Sequence, residues 1–123
     1  MPTGERTESQ PQWDAQAVRD LVATGNTDAV IITDRNGRVL QSEIRRDIPQ
    51  MVGPLLEAGL ASYAATGHHF NLGEMRLAAS MHDNGTMVFG RTDEHSVFIL
   101  ASSKANLGQL LNQARRVFGR AFA

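Results

Sequence analysis

The sequence contains no cysteine, a single lysine and no long apolar run, and its charges are nearly balanced. Without cysteine, the chain has no disulfides, no thiol catalysis and no zinc–thiolate site. Its 12 basic and 13 acidic residues give a formal net charge of -1, without the basic excess typical of nucleic-acid binders. No apolar segment approaches the roughly 20 residues of a membrane helix, so no membrane insertion is expected. These absences predict a soluble, cytoplasmic protein that binds no nucleic acid.

The common phosphate-binding and catalytic motifs are also missing. Lys104 follows no Gly-x-x-x-x-Gly segment, and no Gly-x-Gly-x-x-Gly is present. The adjacent His68 and His69 would project differently from a helix or a strand, which makes them a poor metal chelate. We therefore expect no metal, no cofactor and no enzymatic activity. A hydrolase that uses His82 and Asp83 has the least support, because no nucleophile motif accompanies them.

The length and composition fit one globular domain behind a short tail. The 123 residues, 41% of them hydrophobic, are enough to form one core. Residues 1–12 are polar and contain two prolines, so they are predicted to be a disordered tail. The single domain is predicted to occupy residues 13–123.

Hydrophobic periodicity predicts the element order helix, strand, strand, helix, strand, strand, strand, helix. The Asn36-Gly37 and Asn84-Gly85 pairs are hairpin-turn sequences, so the sheet should be mainly antiparallel. The expected helices are Trp13–Gly25, Ile48–Ala65 and Lys104–Gly119, and the expected strands are Asp28–Asp34, Arg38–Glu43, Leu72–His82, Thr86–Thr92 and Ser96–Ser102.

Two of these strands, at Ala29–Ile32 and Val97–Leu100, are apolar on both faces. Such strands lie centrally in a sheet that is covered on both sides. Three helices are enough to cover both faces of the sheet. We therefore expect an α/β (α+β) domain built as a three-layer α/β/α sandwich with a five-stranded sheet.

Several local features are less tightly determined. The second helix begins either with Asp47 as cap and Pro49 in its first turn, or with Gly53 as cap and Pro54 as its first residue. Its end is expected at Gly67, and Ser103 is the expected N-cap of the last helix. The third strand shows one apolar side with a phase slip near Gly73. Trp13 and Tyr63 lie on apolar stripes and are expected to be at least partly buried.

Three local segments resemble the roadblock family, the dynein light chain roadblock-type domain. Residues Asp28–Leu40 look like its first hairpin, Gly85–Gly90 like its fourth strand, and Ser96–Ala101 with Ala105–Gly108 like its last strand and helix start. The resemblance covers about residues 13–119. It implies a sheet with the first and fifth strands central, and dimers in which second helices pack together and third strands pair edge to edge.

A second face of the second helix fits such a dimer, because small residues allow two helices to approach closely. An ordinary solvent face is the alternative, since alanine favours helix anywhere. The third strand is the candidate edge, and a long edge strand is hazardous unless it is covered or paired. The predicted dimer or partner interface comprises Gly53, Glu57, Ala58, Ala61, Ala64 and Ala65 of the helix, with Met75 and Leu77 of the strand.

Two arginines before the second helix, Arg45 and Arg46, are possible contacts to an acidic partner surface. The family resemblance and the absence of a catalytic motif together predict a non-enzymatic, dimeric interaction module. Since bacterial members of the roadblock family accompany Ras-like small GTPases, the resemblance implies that the module binds and regulates such a GTPase. The alternative is a small-ligand sensory domain of PAS-like or profilin-like type. The nearly all-aliphatic core disfavours the roomy polar pocket that this alternative would need.

Overall fold

A computed structural model of the chain describes residues 13–23, 26–45, 52–92 and 94–119. The predicted tail at residues 1–12 lies outside these residues. The element order agrees with the one predicted from the sequence. The elements are α1 (Ala15–Ala23), β1 (Thr27–Asp34), β2 (Val39–Ile44), α2 (Val52–His69), β3 (Leu77–His82), β4 (Gly85–Arg91), β5 (His95–Ala101) and α3 (Leu107–Phe118).

The five strands form one antiparallel sheet in the order β2-β1-β5-β4-β3. The doubly apolar β1 and β5 are neighbours inside the sheet, as predicted, with Ile31 opposite Phe98 and Val30 opposite Ile99. All four of these side chains are fully buried. The sheet therefore needs an apolar layer on each face.

Three helices provide those layers. Val18 of α1 and Ala114 of α3 pack with Val30, Val88 and Ile99 on one face. On the other face, α2 places Leu60 in a smaller cluster whose remaining buried members are Ile31, Phe89 and Phe98. The three-layer α/β/α sandwich is confirmed.

Trp13 joins α1 to the edge strand β2. Its indole Nε1 donates a hydrogen bond to Gln41 Oε1 at 2.6 Å, and its ring meets the His95 ring edge to face. Trp13 is half-buried against the α1–α3 core, so its prediction as a partly buried anchor is confirmed.

The end of α2 differs from the sequence prediction. Gly67 lies inside the helix, which continues to His69. Asn71 takes the left-handed conformation with φ 60°, while its N–H bonds to the His68 carbonyl and the Leu72 N–H bonds to the Gly67 carbonyl. This is a Schellman cap, with asparagine at the position that glycine usually fills. The helix already includes Val52, so Gly53 lies inside it and is not its cap, as one alternative had predicted. Asp47 and Pro49, on which the other alternative depends, lie outside the described residues.

The third strand begins later than predicted. Residues 72–76 form no strand, and β3 starts at Leu77. The left-handed backbone at Asn71 and at Gly73, where φ is 84°, turns the chain away from an extended path. The expected phase slip near Gly73 is therefore a loop and not a bulge.

The start of α3 also differs. Asn106, and not Ser103, is its N-cap, because the Asn106 side-chain oxygen accepts a hydrogen bond from the Gln109 N–H at 3.0 Å. The helix ends at Phe118, and Gly119 follows with φ 54°.

The β1–β2 turn is organised by one carboxylate. Asp34 Oδ1 accepts hydrogen bonds from the N–H groups of Arg38 at 3.0 Å and Asn36 at 2.9 Å, while Gly37 takes φ 89°. The backbone hydrogen bond from Arg38 is the largest cause that lowers the pKa of Asp34 below its ordinary value of 3.8. The charged form of Asp34 therefore stabilises the folded hairpin.

We expect Asp34→Asn to be less stable than the unchanged protein at pH 7, because it keeps an oxygen at the turn but removes its charge. A lowered pKa contributes stability that is present above the ordinary value and is lost as pH falls through the folded value. The difference in urea midpoint should therefore narrow below about pH 4. Asp83→Asn is the control, since within the described residues its carboxylate accepts no backbone hydrogen bond. An Asp34→Asn difference that is constant from pH 3 to 7 would contradict this account.

Candidate interaction surface

The candidate surface combines the open sheet edge at β3 with α2, which lies on the adjacent sheet face. Three of the predicted interface residues, Ala58, Ala61 and Ala65, are exposed on α2. We call these three the small-residue face. Gly53 belongs to the first turn of the same helix. The interface role of all four residues stays a prediction.

Two other predicted interface residues lie closer to the protein interior. Met75 packs against the cluster of Ile31, Leu60, Phe89 and Phe98 under α2. Ala64 is also half-buried, so it does not extend the small-residue face. The fully exposed part of the predicted helix face is thus narrower than the sequence pattern indicated.

Glu57 makes an internal ion pair in place of the outward charge that the sequence suggested. Its carboxylate pairs with the Arg91 guanidinium, and the two side chains are only 10% and 11% exposed. Thr33 Oγ1 donates to the second Glu57 oxygen at 3.2 Å, and Arg91 Nε donates to Ser96 Oγ at 3.3 Å.

This polar group follows directly from the sheet register. Ser96 pairs with Thr33 on one side and with Arg91 on the other, so the three side chains share one row across β1, β5 and β4. The Glu57 carboxylate of α2 contacts Thr33 and Arg91 of this row, and these contacts fix α2 to this end of the sheet. Sequence periodicity could not reveal the pair, because Arg91 lies 34 residues away on a different element.

The apolar side of β3 faces outward. Val88 of β4 lies in the core under α1 and α3, and its partner in register is Ala79. The Ala79 side of β3 is exposed, whereas Ala78 and Ser80 turn toward α2 and are half-buried. The exposed side, which we call the β3 strip, consists of Leu77, Ala79 and Met81, and Met81 is 75% exposed.

More apolar surface follows α2. Phe70 and Leu72 are 70% and 76% exposed, in the segment that the Schellman cap shapes. Large side chains with this exposure are unusual on a monomeric protein surface when they cluster. The sequence prediction missed both residues as surface features, because it placed Leu72 inside a strand.

A groove of about 420 Å³ lies between α2 and the β3–β4 hairpin. Tyr63, which was expected to be an anchored residue, stands 68% exposed on its rim, so that prediction was wrong. Gly59 forms part of the α2 wall. The flank of α2 that faces β3 therefore carries Gly59 and Tyr63, and the small-residue face points elsewhere.

The basic residues before α2 are only partly described. Arg45 donates from Nη1 to the carbonyls of Val22, at 3.2 Å, and of Thr27, at 3.5 Å. The Val22 carbonyl belongs to the last turn of α1, where a cation is favourable. Arg45 thus ties β2 to the end of α1, while Arg46 lies outside the described residues. Their role as partner contacts stays a prediction.

The described residues offer few groups for chemistry. Across residues 13–23, 26–45, 52–92 and 94–119, no group of three His, Cys, Asp or Glu side chains is placed to hold a metal ion. His82 Nε2 lies 2.8 Å from Ser80 Oγ at the groove. None of the helices in this part of the chain is long and apolar enough to cross a membrane.

No protein-family model matches the sequence, and a search of curated proteins finds no match. Solved structures do match. The gliding protein MglB from Thermus thermophilus aligns over 92% of this chain and 90% of its own, with a TM-score of 0.77 and 11% identity. MglB with a tetrameric arrangement aligns over 82% and 79%, with a TM-score of 0.73 and 12% identity.

A Roadblock/LC7 domain from Streptomyces avermitilis aligns over 81% of this chain and 87% of its own, with a TM-score of 0.70 and 15% identity. A profilin from Acanthamoeba castellanii aligns over 85% and 91% with a lower TM-score of 0.59 and 14% identity. The likeness is one of fold, and the roadblock-type fold expected from the sequence is confirmed.

We expect Glu57→Ala to destabilise the protein by about 3 kcal/mol, because it leaves the Arg91 guanidinium partly buried without its carboxylate. Urea denaturation measures this change. Glu74→Ala is the control: the Glu74 ion pair with His68 is exposed, and its loss should cost less than about 1 kcal/mol. The double variant Glu57→Ala/Arg91→Ala should lose less than the two single losses combined. Equal costs for Glu57→Ala and Glu74→Ala would show that the ion pair does not anchor α2.

Proposed function

We propose that this roadblock-fold chain is a non-enzymatic, cytoplasmic module that self-associates and, as a dimer, binds and regulates a bacterial Ras-like small GTPase. The observation that carries the proposal is the exposed apolar edge strand β3 beside the exposed face of α2. A surface of this kind suits contact with other polypeptide chains.

The two edges of the sheet support self-association through β3. The β1–β2 ladder is interrupted by a register shift between Ile32 and Thr33, and β2 carries the charged Glu43. Such interruptions and charges protect an edge from pairing with another chain. The β3–β4 ladder has no shift, and the sequence of β3 from Leu77 to His82 contains no acidic residue, lysine or arginine. The β3 edge is therefore the better template for a second strand.

The apolar side chains around this edge would gain from burial in a dimer. Leu77, Met81, Phe70 and Leu72 present large exposed hydrophobic groups. Burial of each such side chain stabilises an assembly by up to about 1.5–3 kcal/mol. One of the similar MglB structures has a tetrameric arrangement, which is in line with self-association in this fold. In a dimer joined through β3, the second helix would lie along the flank of α2 that faces β3, which carries Gly59 and Tyr63.

For the GTPase partner, the family resemblance and the shared fold supply the support. Regulation has two possible routes: the module orders the switch segments of the GTPase, or it supplies an arginine to the transition state. Arg45 is held by the carbonyls of Val22 and Thr27, and Arg91 is held by Glu57. Because Arg45 and Arg91 already have structural roles, we favour the ordering of switch segments over an arginine supplied from these two positions.

We expect Met81→Asp to weaken self-association, because it places a carboxylate in the apolar β3 strip without disturbing a buried contact. Light scattering over a concentration series should show the unchanged protein at twice the mass of one chain and Met81→Asp shifted toward one chain. Ser103→Asp, in the exposed turn before α3, adds the same charge elsewhere and should stay dimeric. A concentration-independent monomer for the unchanged protein would overturn the dimer.

The GTPase proposal is tested by pull-down with a small Ras-like GTPase encoded beside this chain, loaded in turn with GDP and with a GTP analogue. We expect nucleotide-dependent binding that Ala61→Arg reduces, since a long charged side chain cannot be accommodated on the small-residue face. The exposed Ala23→Arg on α1 is the matched control. No binding in either nucleotide state would overturn this part of the proposal.

A further inference from the structure

We infer that the cavity between the end of α1 and the start of α3 binds a neutral, planar heterocycle with the hydrogen-bonding edge of adenine. The ring lies against two leucines, and its edge meets a threonine hydroxyl and carboxamide groups. The cavity lies on the side of the sheet opposite α2, and none of the described residues that line it belongs to α2 or β3. The inference therefore does not rest on the proposed dimer or on the GTPase partner.

The first residue of β1 places a hydroxyl in this cavity. A register shift between Thr27 and Ala29 puts Thr27 opposite Ala101, whose side chain lies in the core under α1 and α3. Thr27 therefore projects to that side of the sheet, where it lines the cavity together with Leu21 of α1 and Leu110 of α3.

The hydrogen-bonding capacity of the Thr27 hydroxyl is unused. Thr27 is only 3% exposed, yet its Oγ1 makes no hydrogen bond to any residue in the described ranges. The oxygen is accessible from the cavity that the side chain lines. A buried polar group without a partner lowers stability, whereas valine has the same β-branched shape and an equal preference for strands. Stability of the fold gives no reason for threonine here, but a ligand that bonds to the hydroxyl does.

Carboxamide side chains of α3 form another part of the lining. Gln109 and Gln113 are four residues apart and share one face of the helix, and neither side chain makes a hydrogen bond within the described part of the chain. Asn106 caps α3 by accepting from the Gln109 N–H at 3.0 Å, which leaves both of its Nδ2 protons as donors. The cavity thus presents both donors and acceptors.

These groups select a neutral ligand that carries a donor and an acceptor side by side. A glutamine carboxamide pairs with adenine through two hydrogen bonds, accepting from the exocyclic amine and donating to the neighbouring ring nitrogen. A phosphate or carboxylate is disfavoured, because the described lining contains no lysine or arginine to pair with it.

The size of the cavity and its apolar walls suit one heterocycle. The volume of about 210 Å³ is below the roughly 300–1,000 Å³ of sites for drug-sized ligands, so the bound group is small. Leu21 and Leu110 are 7% and 4% exposed and offer apolar surface to the faces of the ring. A nucleoside would place its base in the cavity and its sugar in solvent.

Isothermal titration calorimetry with adenosine tests the site in the full chain. We expect saturable binding with a dissociation constant between about 10 μM and 1 mM, which is the range that the size of the ligand allows. Purine riboside, which lacks the exocyclic amine, should bind about three- to tenfold more weakly because one hydrogen bond is lost. Adenosine monophosphate should bind no more tightly than adenosine.

The decisive variant is Thr27→Val, which removes the hydroxyl and keeps the β-branched shape. We expect it to unfold at the same or a higher urea concentration than the unchanged protein, and yet to bind adenosine about three- to tenfold more weakly. Thr27→Ser is the matched control: it keeps the hydroxyl and loses a methyl group, so it should be less stable but should bind adenosine normally. A purely structural role of Thr27 would make stability and binding change together.

Three results would overturn the site: no heat from the unchanged protein with adenosine up to about 5 mM, equal adenosine affinity in Thr27→Val and the unchanged protein, or tighter binding of adenosine monophosphate than of adenosine. Met81→Asp separates the site from the proposed function, because Met81 lies outside the cavity lining. This variant should bind adenosine normally even where it no longer self-associates. A loss of adenosine binding in Met81→Asp would contradict the independence of the cavity from the dimer.

Discussion

The pairing of β1 with β5 is the constraint on which the other layers depend, because both strands bury apolar side chains on both faces. Ile31 and Phe98 face α2, while Val30 and Ile99 face α1 and α3. Full burial of each such side chain stabilises the fold by about 1.5–3 kcal/mol. Neither face can be left to water without losing that contribution, so the chain must supply helices for both.

The two helical layers meet this requirement unequally. On one face, α1 and α3 share a large core that also includes Val88 and Val97. On the other face, α2 is the covering helix. Among its residues 56–69, Leu60 is the buried hydrophobic side chain, and the Glu57–Arg91 ion pair lies at one end. One helix cannot cover five strands, and the part left uncovered is the groove beside Gly59. The candidate surface of the protein thus arises from incomplete coverage of the sheet.

The element order, the sandwich and the central strands were predictable because they depend on local periodicity and on burial of both strand faces. The predictions that failed depended on distant or competing interactions. Glu57 looked like an outward charge because Arg91, its partner, is remote in sequence. Gly67 looked like a helix end, but Asn71 supplied the left-handed residue four positions later.

The outward direction of the β3 strip was also beyond sequence reasoning. An alternating strand shows which side chains share a face, but not which face is covered. Leu77 and Met81 form the more apolar side, which normally indicates the core, and yet Ala78 and Ser80 turn inward. Only the position of β3 at the end of the sheet explains this. The α1–α3 layer leaves that side of β3 exposed.

The unequal edges of the sheet have a consequence for symmetry. A chain that can extend its sheet at both ends can add copies without limit, whereas one that can extend at a single end must meet another copy through the same strand. Because β2 carries a register shift and β3 does not, β3 is the end of the sheet that we propose accepts another copy. Two copies joined in that way would be related by a twofold axis and would leave no second β3 edge, so growth through β3 would stop at a closed pair and would not continue into a filament.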